Sequence, residues 1–85
     1  MPYFVYMLLS KHKDNFISYV GYTNNLKNRL SLHNTSKGAK FTRGKKWVII
    51  YHQKYLNKSD AMKGEYKLKK DYNLRNKIKN NFIKK

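Results

Sequence analysis

The chain has no cysteine, one proline, four glycines and only four acidic side chains among its 85 residues. Without cysteine there are no disulfides and no thiolate metal sites, which fits a reducing compartment; the expected location is cytoplasmic, with association to the nucleoid. His12, His33 and His52 are too scattered in sequence to suggest a zinc cluster. No apolar run approaches the ~20 residues that span a bilayer. Nor does a charged segment precede the first apolar stretch or a small-residue cleavage site follow it, so neither a signal peptide nor a membrane partner is expected. The shortage of acid leaves 20 Lys and Arg against 4 Asp and Glu, a formal net charge of +16. Such a chain repels itself unless a polyanion is near, and nucleic acid is the first partner to consider.

A chain of this length is expected to form one domain, residues 1–85, with a thin core and no room for a second, target-reading unit. Residues 3–10, YFVYMLLS, are apolar and aromatic on both alternating faces: Phe4, Tyr6 and Leu8 on one, Tyr3, Val5, Met7 and Leu9 on the other. That pattern predicts a central strand covered on both sides. Residues 16–22 form a second strand, and the polar segment 11–15 between them has hairpin-turn composition. A hairpin symmetric about its middle pairs Tyr6 with Tyr19 and Leu9 with Phe16, which puts two phenols on one face. Gly21 in the second strand leaves space beside Tyr19 for a neighbouring backbone or ligand.

Thr23 or Asn24 is the expected N-cap of a helix running to about Asn34. On it Leu26, Arg29, Leu30 and His33 share one core-facing arc, and Arg29 and His33, four residues apart, are placed to address one anion. The plainer reading makes Arg29 a snorkelling surface side chain and His33 a satisfied edge histidine. Residues 35–46 lose periodicity and read as a basic surface loop. Its glycines, Gly38 and Gly44, lack P-loop spacing and Lys46 stands where Ser or Thr is required, so no nucleotide cofactor is expected. Lys40, Thr42, Arg43, Lys45 and Lys46 are the candidate nucleic-acid contacts, with Phe41 available for stacking, although a merely solvated loop fits equally well.

Residues 47–51, WVIIY, extending towards Tyr55, make a third strand. Ser59 is the expected cap of the next helix, with Asp60 in its first turn. Ala61, Glu65 and Leu68 then fall on one stripe of that helix, and Leu74, Ile78 and Phe82 mark a last amphipathic helix that closes one side of the sheet. Asp14, Asp60 and Asp71 each have an ordinary place in a turn or at a helix end. Glu65, the only glutamate, does not: a carboxylate on a core-facing stripe needs a cation or hydrogen bonds, either in a site or in a structural ion pair.

Phe4-Val5-Tyr6, Tyr19-Val20-Gly21, Arg29 ten residues after the second tyrosine, Gly38 to Gly44, the third strand and Glu65 on a later helix together resemble the small stand-alone branch of the GIY-YIG nuclease superfamily over nearly the whole chain. Phe4 replaces the first glycine of the motif, and Val5 and Val20 replace its isoleucines. No residue is assigned to the asparagine that many members carry late in the domain. The resemblance implies an α+β domain, a three-stranded largely antiparallel sheet flanked by helices, with Tyr6, Tyr19, Arg29 and Glu65 as the catalytic set and His33 as their companion.

That resemblance implies a metal-dependent endonuclease hydrolysing DNA phosphodiester bonds, selecting by structure or not at all, with RNA as a second substrate class. Glu65 would hold one divalent cation, Mg2+ or Mn2+, and Arg29 would bind a nonbridging oxygen. Tyr6 and Tyr19 would orient the attacking water, with nearby positive charge expected to favour a phenolate; His33 is the alternative base. The competing readings are a non-catalytic basic nucleic-acid-binding module of nuclease ancestry and an accessory protein of a ribonucleoprotein.

Overall fold

The computed structural model describes residues 2–35 and 37–84. The first strand, β1 (Tyr3–His12), pairs antiparallel with β2 (Asn15–Thr23) and, on its other edge, with β3 (Val48–Tyr55), giving the strand order β2-β1-β3. Three α-helices pack around this sheet: α1 (Leu26–Asn34), α2 (Lys58–Lys70) and α3 (Tyr72–Ile83), with a single 3-10 turn over Lys40–Thr42. The architecture is the α+β arrangement, an antiparallel three-stranded sheet with helices, that the resemblance implies.

Because β1 is apolar on both faces, it divides the core into two layers. Val5 and Met7 join Val20 with Ala61 and Leu68 of α2, and Ile78 of α3 packs against them. On the opposite face Tyr6 and Leu8 pack with Trp47, against which Leu26 and Leu30 of α1 and Tyr19 of β2 lie. Met7 and Leu8, adjacent in sequence, are each 0% exposed on opposite faces. Truncating either to alanine is the kind of change that costs ~2–5 kcal/mol. The last helix closes its side only in part: Ile78 is inside, whereas Leu74 and Phe82 remain substantially exposed.

The hairpin register differs from the symmetric expectation. His12 pairs with Asn15 across a two-residue connection, so Tyr6 faces Gly21 and Tyr19 faces Leu8. The five-residue polar segment is mostly strand, with only Lys13 and Asp14 left to turn; Lys13 takes a left-handed φ of 57°, as tight hairpin connections require. A shift of two in partner sum keeps side-chain parity, so both phenols still share a face. The β1–β3 ladder is irregular between Met7 and Leu8, and Ile50 is passed over in the pairing. Ile50 and Tyr51 consequently pack on one side while Trp47 and Ile49 pack on the other.

The helix starts also move from the expected positions. Asn25, not Thr23 or Asn24, caps α1 by accepting the Asn28 N–H at 3.0 Å, and Thr23 Oγ1 accepts the Asn25 N–H at 3.1 Å, shaping the approach. Asn57, not Ser59, caps α2 by accepting from the Asp60 N–H at 2.9 Å. Asp71 ends α2 and caps α3 by accepting the Leu74 N–H at 3.0 Å. The α1 cap fixes where Arg29 and His33 fall on the helix. Asn25→Ala is therefore expected to cost ~1 kcal/mol in urea unfolding, with Asn24→Ala within ~0.5 kcal/mol of wild type. Equal losses at the two positions would contradict this start.

Candidate active site

The pairing of Tyr6 with Gly21 creates the centre of the site. A Cβ at position 21 would lie 2.5 Å from Tyr6 Oη and 2.7 Å from Cζ, so the phenol occupies space that only glycine leaves free. The vacancy beside Tyr19 is thus filled largely by Tyr6 itself. Tyr6 is only 2% exposed, and its ring stands 5.9 Å from that of His33, centroid to centroid; Tyr19 stands 5.2 Å from the same imidazole.

A chain of hydrogen bonds runs inward from Tyr6. Its Oη lies 2.9 Å from His33 Nε2, and His33 Nδ1 lies 2.8 Å from Thr42 Oγ1. The direction follows from the last link, because Thr42 donates its single hydroxyl proton to the Ala39 carbonyl at 2.8 Å. Thr42 must then accept from His33 Nδ1–H, which leaves Nε2 without a proton and makes Tyr6 the donor to it. His33 and Thr42 are both 0% exposed. Gly38 allows this arrangement too, since a Cβ there would overlap the His33 ring at Nδ1.

The charge states agree with that direction. Burial, assisted by the Arg29 guanidinium, lowers the His33 pKa and keeps the imidazole neutral near pH 7. Tyr6 departs from the phenolate expectation: burial raises its pKa, and the hydrogen bond and charge of Arg29 offset this only in part, while Tyr19 and Glu65 push it further upward. Desolvation of a nearly buried phenol outweighs one neighbouring cation.

Tyr6, Tyr19 and Gly21 from the sheet, Arg29 from α1 and Glu65 from α2 line one open cleft of about 280 Å³, together with Tyr22 and Thr23. Four of the five catalytic candidates meet there, and His33 touches it through Tyr6. Arg29 Nε is buried without a hydrogen-bond partner among the described residues, leaving a charge-bearing donor unsatisfied in the wall of the cleft. Glu65, whose side chain is 20% exposed, lies 3.6 Å from Lys69 Nζ one helical turn away. An i,i+4 pair of this kind contributes only ~0.3–0.5 kcal/mol, too little to explain a carboxylate on the inner stripe.

Among the described residues no three His, Cys, Asp or Glu side chains gather into a metal cluster. The cleft instead offers one carboxylate with phenol and hydroxyl oxygens, a hard donor set. Such a set suits a hard divalent cation, and Glu65 is the carboxylate that would hold it.

The basic loop divides into two parts. Lys40, Arg43 and Lys46 are exposed, and Lys45 is half-buried with Nζ 3.3 Å from the Phe41 carbonyl. Thr42, by contrast, faces inward and holds His33, so it makes no direct contact with a nucleic acid in this conformation. The loop is clamped where sequence patterning gave no sign of it: the Asn34 side chain bonds both the N–H (2.6 Å) and carbonyl (3.1 Å) of Trp47, whose indole donates to the Thr42 carbonyl at 3.0 Å. Tyr22 and Thr23 are further cleft residues without a distinguishing sequence signal.

With sheet, paired tyrosines, helix arginine and lone glutamate in place, the model of the GIY-YIG catalytic domain matches residues 2–79. The chain belongs to the GIY-YIG family. Its curated relatives include a UPF0213 protein of Oceanobacillus iheyensis, 46% identical over 68 residues that cover 79% of this chain and 76% of that protein. Another, from Staphylococcus haemolyticus, is 42% identical over 65 residues, covering 75% and 78% respectively. The solution NMR structure of a UPF0213 protein from Bacillus halodurans aligns at 33% identity and a TM-score of 0.42, covering 81% of this chain and 71% of that one.

The lowered pKa of His33 sets a pH dependence. The unfolded imidazole, near 6.5, takes up its proton before the buried one does. The resulting stability is fully present above about pH 6.5 and is lost as pH falls below it towards the folded pKa. Guanidinium unfolding at pH 7.5 and 5.5 should show wild type losing stability over this interval, with a smaller loss for His33→Gln. Equal losses would assign the effect to other groups.

Proposed function

We propose that this protein is a metal-dependent endonuclease that hydrolyses DNA phosphodiester bonds. The observation carrying this reading is the convergence of Tyr6, Tyr19, Arg29 and Glu65 on one cleft, with a neutral histidine bonded behind Tyr6. A scissile phosphate in the cleft would meet Arg29, whose planar fork suits two oxygens of a phosphoryl group and whose unsatisfied Nε would gain an acceptor there. The divalent cation on Glu65 would supply charge to stabilise the phosphoryl and leaving oxygens.

Water activation falls to the protein's own proton path. Tyr6 Oη accepts a proton from the attacking water as its phenolic proton passes to His33 Nε2. The water becomes hydroxide equivalent, the phenol is regenerated, and His33 becomes an imidazolium whose Nδ1–H still rests on Thr42. His33 has no exposure of its own, so the proton leaves by the same path through Tyr6. Tyr19, tilted at 59° against the imidazole at the cleft wall, orients the water. This arrangement favours a Tyr6–His33 couple over a standing phenolate or a solvent-facing histidine as the base. Lys40, Arg43 and Lys46 would neutralise flanking phosphates, which fix position without reading sequence, so DNA structure rather than base order governs selection.

A non-catalytic binding module is the second reading, favoured by the existing Glu65–Lys69 pair, which gives the carboxylate a structural partner. The two separate in cleavage of end-labelled flap, branched, single-stranded and duplex DNA with Mg2+, Mn2+ or chelator. The endonuclease reading expects metal-dependent cutting that Glu65→Ala abolishes and that Tyr6→Phe slows by ~10²–10⁴-fold in single turnover. Binding without cutting by folded wild type, or unchanged cutting by the Tyr6→Phe/Tyr19→Phe double variant, would overturn it.

A further inference from the structure

A second groove, of about 270 Å³, adjoins the catalytic cleft and shares Tyr19 as a common wall. Its other lining residues are Ser18, Val20, Phe41, Lys69 and Arg75. Its volume lies close to the lower end of the ~300–1,000 Å³ range of small-ligand clefts. Phe41 stands out within it. The side chain is 53% exposed on the 3-10 turn, although the adjacent Thr42 is fully buried. Its ring nevertheless has a fixed place: it stacks on Tyr19 at 6.1 Å with an interplanar angle of 21° and leans on Trp47 at 6.3 Å. Lys45 lies 5.5 Å from the same ring. An aromatic ring held by two others yet half open to solvent is a poor use of a hydrophobe for stability and a good platform for a planar ligand.

The charged wall is equally prepared. Arg75 Nε donates to the Leu68 carbonyl at 3.0 Å and its guanidinium lies 5.7 Å from the Tyr72 ring, which together hold the group at the groove wall. Lys69, half exposed, reaches the groove from α2. A flat ring opposite a fixed guanidinium and an ammonium matches a nucleotide: a base on the ring, phosphates on the cations.

We infer that this groove binds an unpaired nucleotide of the DNA strand next to the scissile phosphate, with its base on Phe41 and its backbone along Lys69 and Arg75. The inference deepens the endonuclease reading and rests on its assignment of DNA to the adjoining cleft. A base inside a duplex is stacked on its neighbours and cannot lie on Phe41, so the groove selects single-stranded or distorted DNA at the cut.

The test is binding without cleavage, in chelator, by fluorescence anisotropy of three labelled probes: an oligothymidylate, an abasic strand of equal length and charge, and a duplex. Wild type should bind the oligothymidylate about tenfold or more tightly than the abasic strand, and Phe41→Ala should erase that difference while Phe41→Trp preserves it. Arg75→Ala should weaken both single strands alike and flatten the salt dependence. Equal wild-type affinity for oligothymidylate and abasic strand, or an unchanged preference in a folded Phe41→Ala protein, would overturn the inference. Because no metal or Glu65 function enters, base-dependent binding with no cleavage sinks only the endonuclease reading, and cleavage with no base dependence sinks only this one.

Discussion

The buried hydrogen-bond chain from Tyr6 through His33 and Thr42 to the Ala39 carbonyl is the constraint on which the site depends. It ties the central strand to α1 and α1 to the basic loop, and its three side chains lie almost wholly out of water. A typical hydrogen bond contributes only about 1 kcal/mol net, whereas orphaning a buried partner costs ~1–3 kcal/mol, so the chain is far more sensitive to loss of one member than its individual bonds suggest. Gly21 and Gly38 belong to it as much as the polar groups do, because each leaves the volume that a ring of the chain fills. Asn34 and Trp47 hold the loop from the other side and present Thr42 to the imidazole.

Around this interior the cleft departs from what stability alone would select. Among the described residues Arg29 keeps a buried donor without an acceptor, and Glu65 sits on an inner helical stripe with only a marginal partner in Lys69. Local inconsistencies of this sort concentrate at functional sites, where a group is placed for a ligand instead of for the fold. With a formal charge of +16, the chain supplies a field suited to a polyanion, and the cleft supplies the few groups whose placement a field does not explain.

Much of this was legible in the residues. The double-sided apolar pattern of β1 identified the central strand, the α1 stripe identified Arg29 and His33 as inward neighbours, and elimination of the three aspartates left Glu65. The spacing of tyrosines, arginine and glutamate indicated the family. What was not legible depended on geometry that composition leaves open. Turn length decides register, and a two-residue turn moved Tyr6 from Tyr19 to Gly21. Cap position depends on which side-chain oxygen reaches the third N–H beyond it, which adjacent Thr, Asn and Asn residues leave undecided. Thr42 sits among basic residues in a loop pattern that gives no sign of its burial. The Tyr6 pKa reverses expectation for the same reason: neighbouring charge was countable in sequence, desolvation was not.

In this geometry Tyr6 donates to an unprotonated His33 Nε2 whose partner nitrogen is fixed by Thr42. Long-range 1H–15N NMR of the imidazoles at pH 7.5, assigned by difference from His33→Gln, measures this directly. The expected result is a neutral His33 with protonated Nδ1 and pyridine-like Nε2. A proton on Nε2, whether as the other tautomer or as imidazolium, would contradict it.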